Sequence, residues 1–320
     1  MGLTNFPNGI SSFGVPVLGG SGAIHTGNVF FVSSTSANAD DDPTQGTTPD
    51  KPFATIDYAI GRCTDSTGDV IYVMPGHVEA ISTAAGISID KIGISIIGIG
   101  GPGGAGGTAG PYSTYYNLAP VVQLSAAAAT VDVSANSCVI QNITFEATAA
   151  DVAACIVNTS GQGLRILGCR FVENSALNFL VCYSGGTGLK SAFVEIGHCT
   201  AVCPDTANTH FALLPGTANG MYIHDNVLHG DWGIGAIGGT TNVTGVVTNI
   251  TIARNLIYNA ASTADACINL AATATGIVAY NACGGAHATD GINIGDCAGI
   301  ENYYVQNALD TSAVLEPATA

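Results

Sequence analysis

A short apolar motif returns along this chain at intervals close to 27 residues, and that spacing restricts the fold more than any other property of the sequence. The motif is a β-branched residue, two variable positions, then Asn, Cys or Ile, one variable position and another apolar side chain. Copies begin at Ile94, Ile140, Ile166, Ile196, Ile223, Ile252 and Val278. From Ile143 onward the central residues are Ile143, Cys169, Cys199, Asn226, Asn255 and Asn281, spaced 26, 30, 27, 29 and 26 apart. The first interval, Ile97 to Ile143, is 46 residues. It has room for two coils, with Pro120 to Leu124 as a strand of the extra one. A weaker echo places Asn302 21 residues after Asn281.

Between these copies lies a second set of short apolar runs, at Ala154–Val157, Phe179–Cys182, Phe211–Leu214, Ile234–Ile237, Cys267–Leu270 and Gly291–Ile294. Each is bounded by Gly, Asn, Ser or Thr, and a helical period of 3.6 is almost absent, so these runs read as strands. About three strands per ~27 residues make one coil of a parallel β-solenoid, rising by the ~4.8 Å spacing of neighbouring strands. The expected fold is all-β, a solenoid of 8–10 coils about 40–50 Å tall. Equivalent positions then stack. Cys169, Cys199, Asn226, Asn255 and Asn281 form a structural ladder at one turn, although Asn also has a plain preference for turns.

The start of the coil has its own pattern. Asn28 to Val32 reads as a strand, followed by a polar loop carrying Asp40, Asp41 and Asp42. A brief helix follows, with Thr55 as N-cap, Asp57 in its first turn and Ile56, Ala59, Ile60 and Cys63 on one face. Laid across the open first coil, it would cap raw core. The order Phe30-Phe31-Val32, acidic loop, Lys51 to Ile56, Ala59-Ile60, Gly68 to Val73 and Pro75-Gly76 resembles the opening of the pectin-lyase-like right-handed parallel β-helix proteins. That resemblance spans residues 28–307 and implies the fold. It leaves function open, because the superfamily holds polysaccharide lyases, hydrolases, epimerases and non-catalytic virion proteins.

The domain reading is an extended docking arm at 1–27, the β-helix at 28–307 and a tail at 308–320, with the cap and first coils at 28–76 and a Gly/Tyr-rich insertion at 100–118. The arm carries Phe6, Ile10, Phe13, Val15, Val17 and Leu18 without a fold of its own, so these are the expected partner-docking residues. Its sequence from Phe6 to Leu18 resembles N-terminal arms of tailed-bacteriophage structural proteins. No basic region precedes it, so a secretory signal is expected to be absent or removed.

Composition narrows the partners. With 7 Lys and Arg against 23 Asp and Glu, the formal charge is −16, which disfavours nucleic acid and anionic membranes. Ten cysteines contain no Cys-x-x-Cys pair, so buried thiols are the main reading, ahead of disulfides and a structural zinc.

Chemistry is sparse. The position before the ladder residue gives His198, Asp225 and Arg254 on successive coils, a column that reads as a solvent-facing ladder or, if catalytic, as an acid/base site with Asp225 central. Glu146 and Glu173 follow the motif on adjacent coils, where proximity would raise one pKa, yet no other feature marks them as an acid/nucleophile pair. His224 and His229 concentrate ligand types around one turn, and the Asp40 to Asp42 run offers oxygens, but neither spacing fixes a metal geometry. No metal and no cofactor are expected. The expectation is therefore a non-enzymatic structural protein of a bacteriophage virion, a capsid-surface or fibre-like rod bound to other virion proteins and homo-oligomeric, a trimer being compatible with an acidic rod that buries an apolar flank. The alternatives are a glycan-active tailspike-like depolymerase or lyase, with Asp225, His198, Arg254 and Glu173 as candidates, and an extracellular adhesin or scaffold.

Overall fold

A three- or four-residue strand with alternating β-branched side chains buries one row of them and needs a strand above and below to pair its backbone. The computed structural model shows that arrangement. It describes residues 27–100, 119–174, 176–186, 191–214, 217–239, 247–261, 266–285 and 291–306, with the backbone of short pieces at 11–12, 15–16 and 316–317. The docking arm, the insertion after Gly100 and most of the tail lie outside the described residues.

Three long parallel sheets run through the described residues, with ten strands in the first, eight in the third, and in the second ten that include an antiparallel Glu316–Pro317 piece. The fold is an all-β solenoid of stacked parallel strands, a parallel β-helix. Register is strict: Ile96, Ile140, Ile166, Ile196, Ile223, Ile252 and Val278 sit directly over one another in the first sheet, and all are buried. Phe145 and Phe171 stack in the second sheet, and Phe211, from the third, meets Phe171 edge-on with ring centroids 5.5 Å apart. One continuous apolar core results.

The motif read from the sequence is two strands around a two-residue turn, as in Arg165–Leu167, Gly168-Cys169, Arg170–Val172. So tight a turn forces its first residue into the left-handed region. φ is 55° at Asn142, 59° at Gly168, 56° at His198, 54° at Asp225, 55° at Arg254 and 58° at Tyr280. The second residue turns inward and forms the ladder. Asn255 Oδ1 accepts from the backbone N–H and the Nδ2 of Asn226, at 3.1 and 2.9 Å. Its own Nδ2 donates to the Ile223 carbonyl and to Asn281 Oδ1. The same pattern joins Asn281 to Asn302 and ends on the Cys199 amide, which donates to Asn226 Oδ1. Below that, Cys169 and Cys199 fill the column as buried thiols. All ten cysteines are buried and none is in a disulfide.

One expectation is corrected. The 46-residue interval holds one coil, because Ser95–Gly98 pairs directly with Val139–Gln141 and Ile96 faces Ile140. The surplus length is the insertion, and Val121–Leu124 is that same coil's strand in the second sheet.

The helix spans Ile56–Arg62, with Thr55 Oγ1 accepting from the Tyr58 amide and Ile56, Ala59 and Ile60 buried. Its seat is polar and specific. Asp41 accepts from the amides of Ala54 and Thr55 and from the Thr55 hydroxyl, so one acid of the Asp40–Asp42 run is spent holding the helix start. Glu79, at an inward position, accepts from the Ile56 amide at 2.9 Å. His77 Nδ1 accepts from the Ser34 amide, which leaves Nε2 to donate to Glu79 at 3.1 Å.

Candidate functional site

Outward positions of the first sheet are filled by small or apolar residues at most coils. At three consecutive coils they instead carry Arg165, Glu195 and Tyr222 in one column, with His224 in the next. Beside them, on the turn, stand His198, Asp225 and Arg254. The stacked coils thus gather seven polar or charged side chains on one corner.

Their pairing is dense. Arg254 clamps Asp225 through Nε to Oδ1 at 2.8 Å and Nη2 to Oδ2 at 2.7 Å, and its Nη2 also donates to the Tyr222 hydroxyl. Arg165 Nε donates to Glu195 Oε2 at 2.6 Å. Between these pairs sits His224, whose side chain is 7% exposed. Its Nδ1 lies 2.6 Å from Asp225 Oδ2 and its Nε2 lies 3.1 Å from Glu195 Oε1. The Tyr222 ring stacks on it with centroids 3.8 Å apart, and His198 meets it edge-on at 5.2 Å. Gly197 is required beneath the ring, since a Cβ there would fall 2.6 Å from His224 Cε1.

The electrostatics follow from the arginines. Hydrogen bonds from Arg254, reinforced by His224, hold the Asp225 carboxyl down at about 2, and Arg165 lowers Glu195 in the same way. Both are fixed anions near neutral pH and weak proton acceptors.

The sequence candidates are therefore divided. His198, Asp225 and Arg254 come together, whereas Glu173 does not join them. Glu173 is buried where two loops meet and accepts from the amides of Phe179 and Asp205 and from Asn208 Nδ2. Glu146 stays outward and accepts from Gln123, so the two glutamates form no pair. Nor do His224 and His229 converge. The turn sends His229 to the second sheet, where it stacks on Tyr258. Glu195, Tyr222, Arg165 and the part played by His224 had no signal in the motif, because they occupy the variable strand positions before the turn.

Burial pushes the Glu173 carboxyl up to about 7, against the pull of the three N–H groups it accepts. A folded pKa above the ordinary 4.5 means the folded chain binds more protons through that window. Glu173 then favours folding below about pH 4.5 and loses that contribution as pH rises through about 7. Relative to the Glu173→Gln variant, the wild-type denaturation midpoint should decline between those pH values. Parallel curves would refute this. Buried His210, whose pKa falls to about 4, acts oppositely by destabilising the fold as pH drops below 6.5, and it is common to both proteins.

No protein-family model matches the chain, and no curated protein matches it. Among solved structures it is similar to a rhamnogalacturonan lyase, at 14% identity and a TM-score of 0.48 over 87% of this chain and 74% of that one. It is also similar to a pectin methylesterase from Aspergillus niger, at 12% identity and a TM-score of 0.44 over 93% of each. A third is ORF18 of Geobacillus virus E2, at 12% identity and a TM-score of 0.35 over 90% of this chain and 63% of that one. The expectation of a non-enzymatic protein is corrected accordingly: a lyase and an esterase stand among the solved structures whose fold is similar, and the chain is not assigned as non-catalytic.

Proposed function

We propose that the chain is a structural β-helix component of a bacteriophage virion, a rod that projects from the capsid surface or pads it. The uninterrupted stack carries this reading, because core and ladder pass from coil to coil and make a stiff spacer. The apolar 1–27 segment is its docking arm, and capsid or other virion proteins are its partners. Self-association belongs to the same proposal. From Thr200 to Val305 the outward columns of the second sheet hold no Lys, Arg, Asp or Glu, and Val202, Val227, Leu256 and Tyr303 are exposed there. A second copy would meet this stripe without like-charge repulsion, which the −16 charge imposes elsewhere.

Protein sequencing of purified virions should detect the chain, and its absence from them would sink the proposal. Deleting residues 1–27 should abolish incorporation while leaving the circular dichroism of the rod unchanged. Normal incorporation would remove the docking role.

A second reading, a glycan-active β-helix, is favoured by one observation: His198, His224, Asp225 and Arg254 share one outward corner. Its test is product release from a panel of host polysaccharides, lost on Asp225→Ala. A panel without product counts against it.

A further inference from the structure

His224 presents a hydrogen-bonding imbalance. A neutral imidazole has one N–H and one lone pair, yet both ring nitrogens face carboxylate oxygens, at 2.6 and 3.1 Å. One contact is satisfied by the ring's own proton. The other sets a lone pair against an anion unless a second proton or a metal cation lies there.

Three features favour a cation. First, His198, His224 and Asp225 each place one ligand atom so that all lie within 4.8 Å of one another. Ligands around a zinc ion held at about 2.0–2.2 Å are themselves about 3–3.5 Å apart, so small rotations of the exposed His198 close the set. Second, Glu195 Oε1 sits at Nε2 of His224 and is itself held by Arg165. A carboxylate on the far nitrogen is the usual outer support of a metal-bound histidine, fixing its tautomer and leaving the near nitrogen free to ligate. Third, Tyr222 and Gly197 confine the ring between them, so Nδ1 is aimed at Asp225 before any ion arrives.

We propose that His198, His224 Nδ1 and the Asp225 carboxylate form a site for a divalent transition-metal ion, zinc being the type case, with water completing the coordination. Arg254 is its competitor. The guanidinium neutralises Asp225 through both carboxylate oxygens and repels a dication beside it. The site is therefore tuned weak, and weakening Arg254 strengthens it. The inference stands whether the rod serves a virion or acts on glycans.

Isothermal titration of the chelator-treated full chain with zinc chloride is the test, and cobalt(II) absorption reports the ligand field. About one ion per chain is expected. His198→Ala, at an exposed position, and His224→Ala should each weaken binding roughly 10–100-fold. Arg254→Gln should tighten it by roughly tenfold, because it removes a like charge a few ångströms away. A generic histidine patch would not show that gain. Binding that is absent in both wild type and Arg254→Gln, with circular dichroism confirming folded protein, overturns the proposal. So does binding that both histidine variants retain in full.

Discussion

Replacing Phe171 with Ala is expected to lower the stability of the rod by about 4 kcal/mol, the range found for emptying a large buried aromatic site. The ring is 1% exposed. It stacks on Phe145 with centroids 5.4 Å apart and receives Phe211 edge-on. Those neighbours are pinned by strand pairing above and below, so the wall of the cavity has little freedom to collapse. The measurement is a denaturant midpoint followed by circular dichroism and by fluorescence of Trp232, the only tryptophan in the chain. A shift below about 1 kcal/mol would mean that neighbouring coils repack around the void, contrary to the rigid core described above.

Asn255→Ala should cost about 3 kcal/mol by a different route. The substitution removes almost no apolar area. It strands the buried Asn226 backbone N–H, at about 1–3 kcal/mol for a buried group left unpaired, and it also removes the Nδ2 bonds to the Ile223 carbonyl and to Asn281 Oδ1. Asn281 Oδ1 keeps the Asn255 amide, and the Asn226 Nδ2 keeps the Ile196 carbonyl, so the loss stays local. Exposed Asn293, bonded through Nδ2 to Asn269, is the control, and its Ala variant should lie within about 0.5 kcal/mol of wild type. Equal effects at the two positions would show that the ladder is decoration.

Both predictions concern features readable without coordinates, for a physical reason. Stacking makes every coil solve the same problem, so Ile166, Ile196, Ile223 and Ile252 recur at the interval of one circuit, and so do the turn asparagines. Where a coil departs from that length, sequence spacing loses its meaning. The 46 residues from Ile97 to Ile143 could be two circuits or one with an outgrowth, and only the direct pairing of Ile96 with Ile140 decides it. The corner cluster was half visible. His198, Asp225 and Arg254 share a turn position and so share a spacing. Glu195 and Tyr222 stand three residues ahead of that position and His224 one, on outward strand sites whose identity varies freely between coils. His229 is near His224 in the chain, but a two-residue corner carries the chain onto another sheet within that distance.

The left-handed turn residues have one more consequence. Glycine, as at Gly168, takes that backbone shape freely, whereas a side-chain-bearing residue gives up on the order of 1 kcal/mol or more to hold it. His198, Asp225 and Arg254 all do so on adjacent coils. Asn142 and Tyr280 do the same at that corner of other coils, so the whole row of corners carries this cost, and at three consecutive ones it holds an imidazole, a carboxylate and a guanidinium side by side.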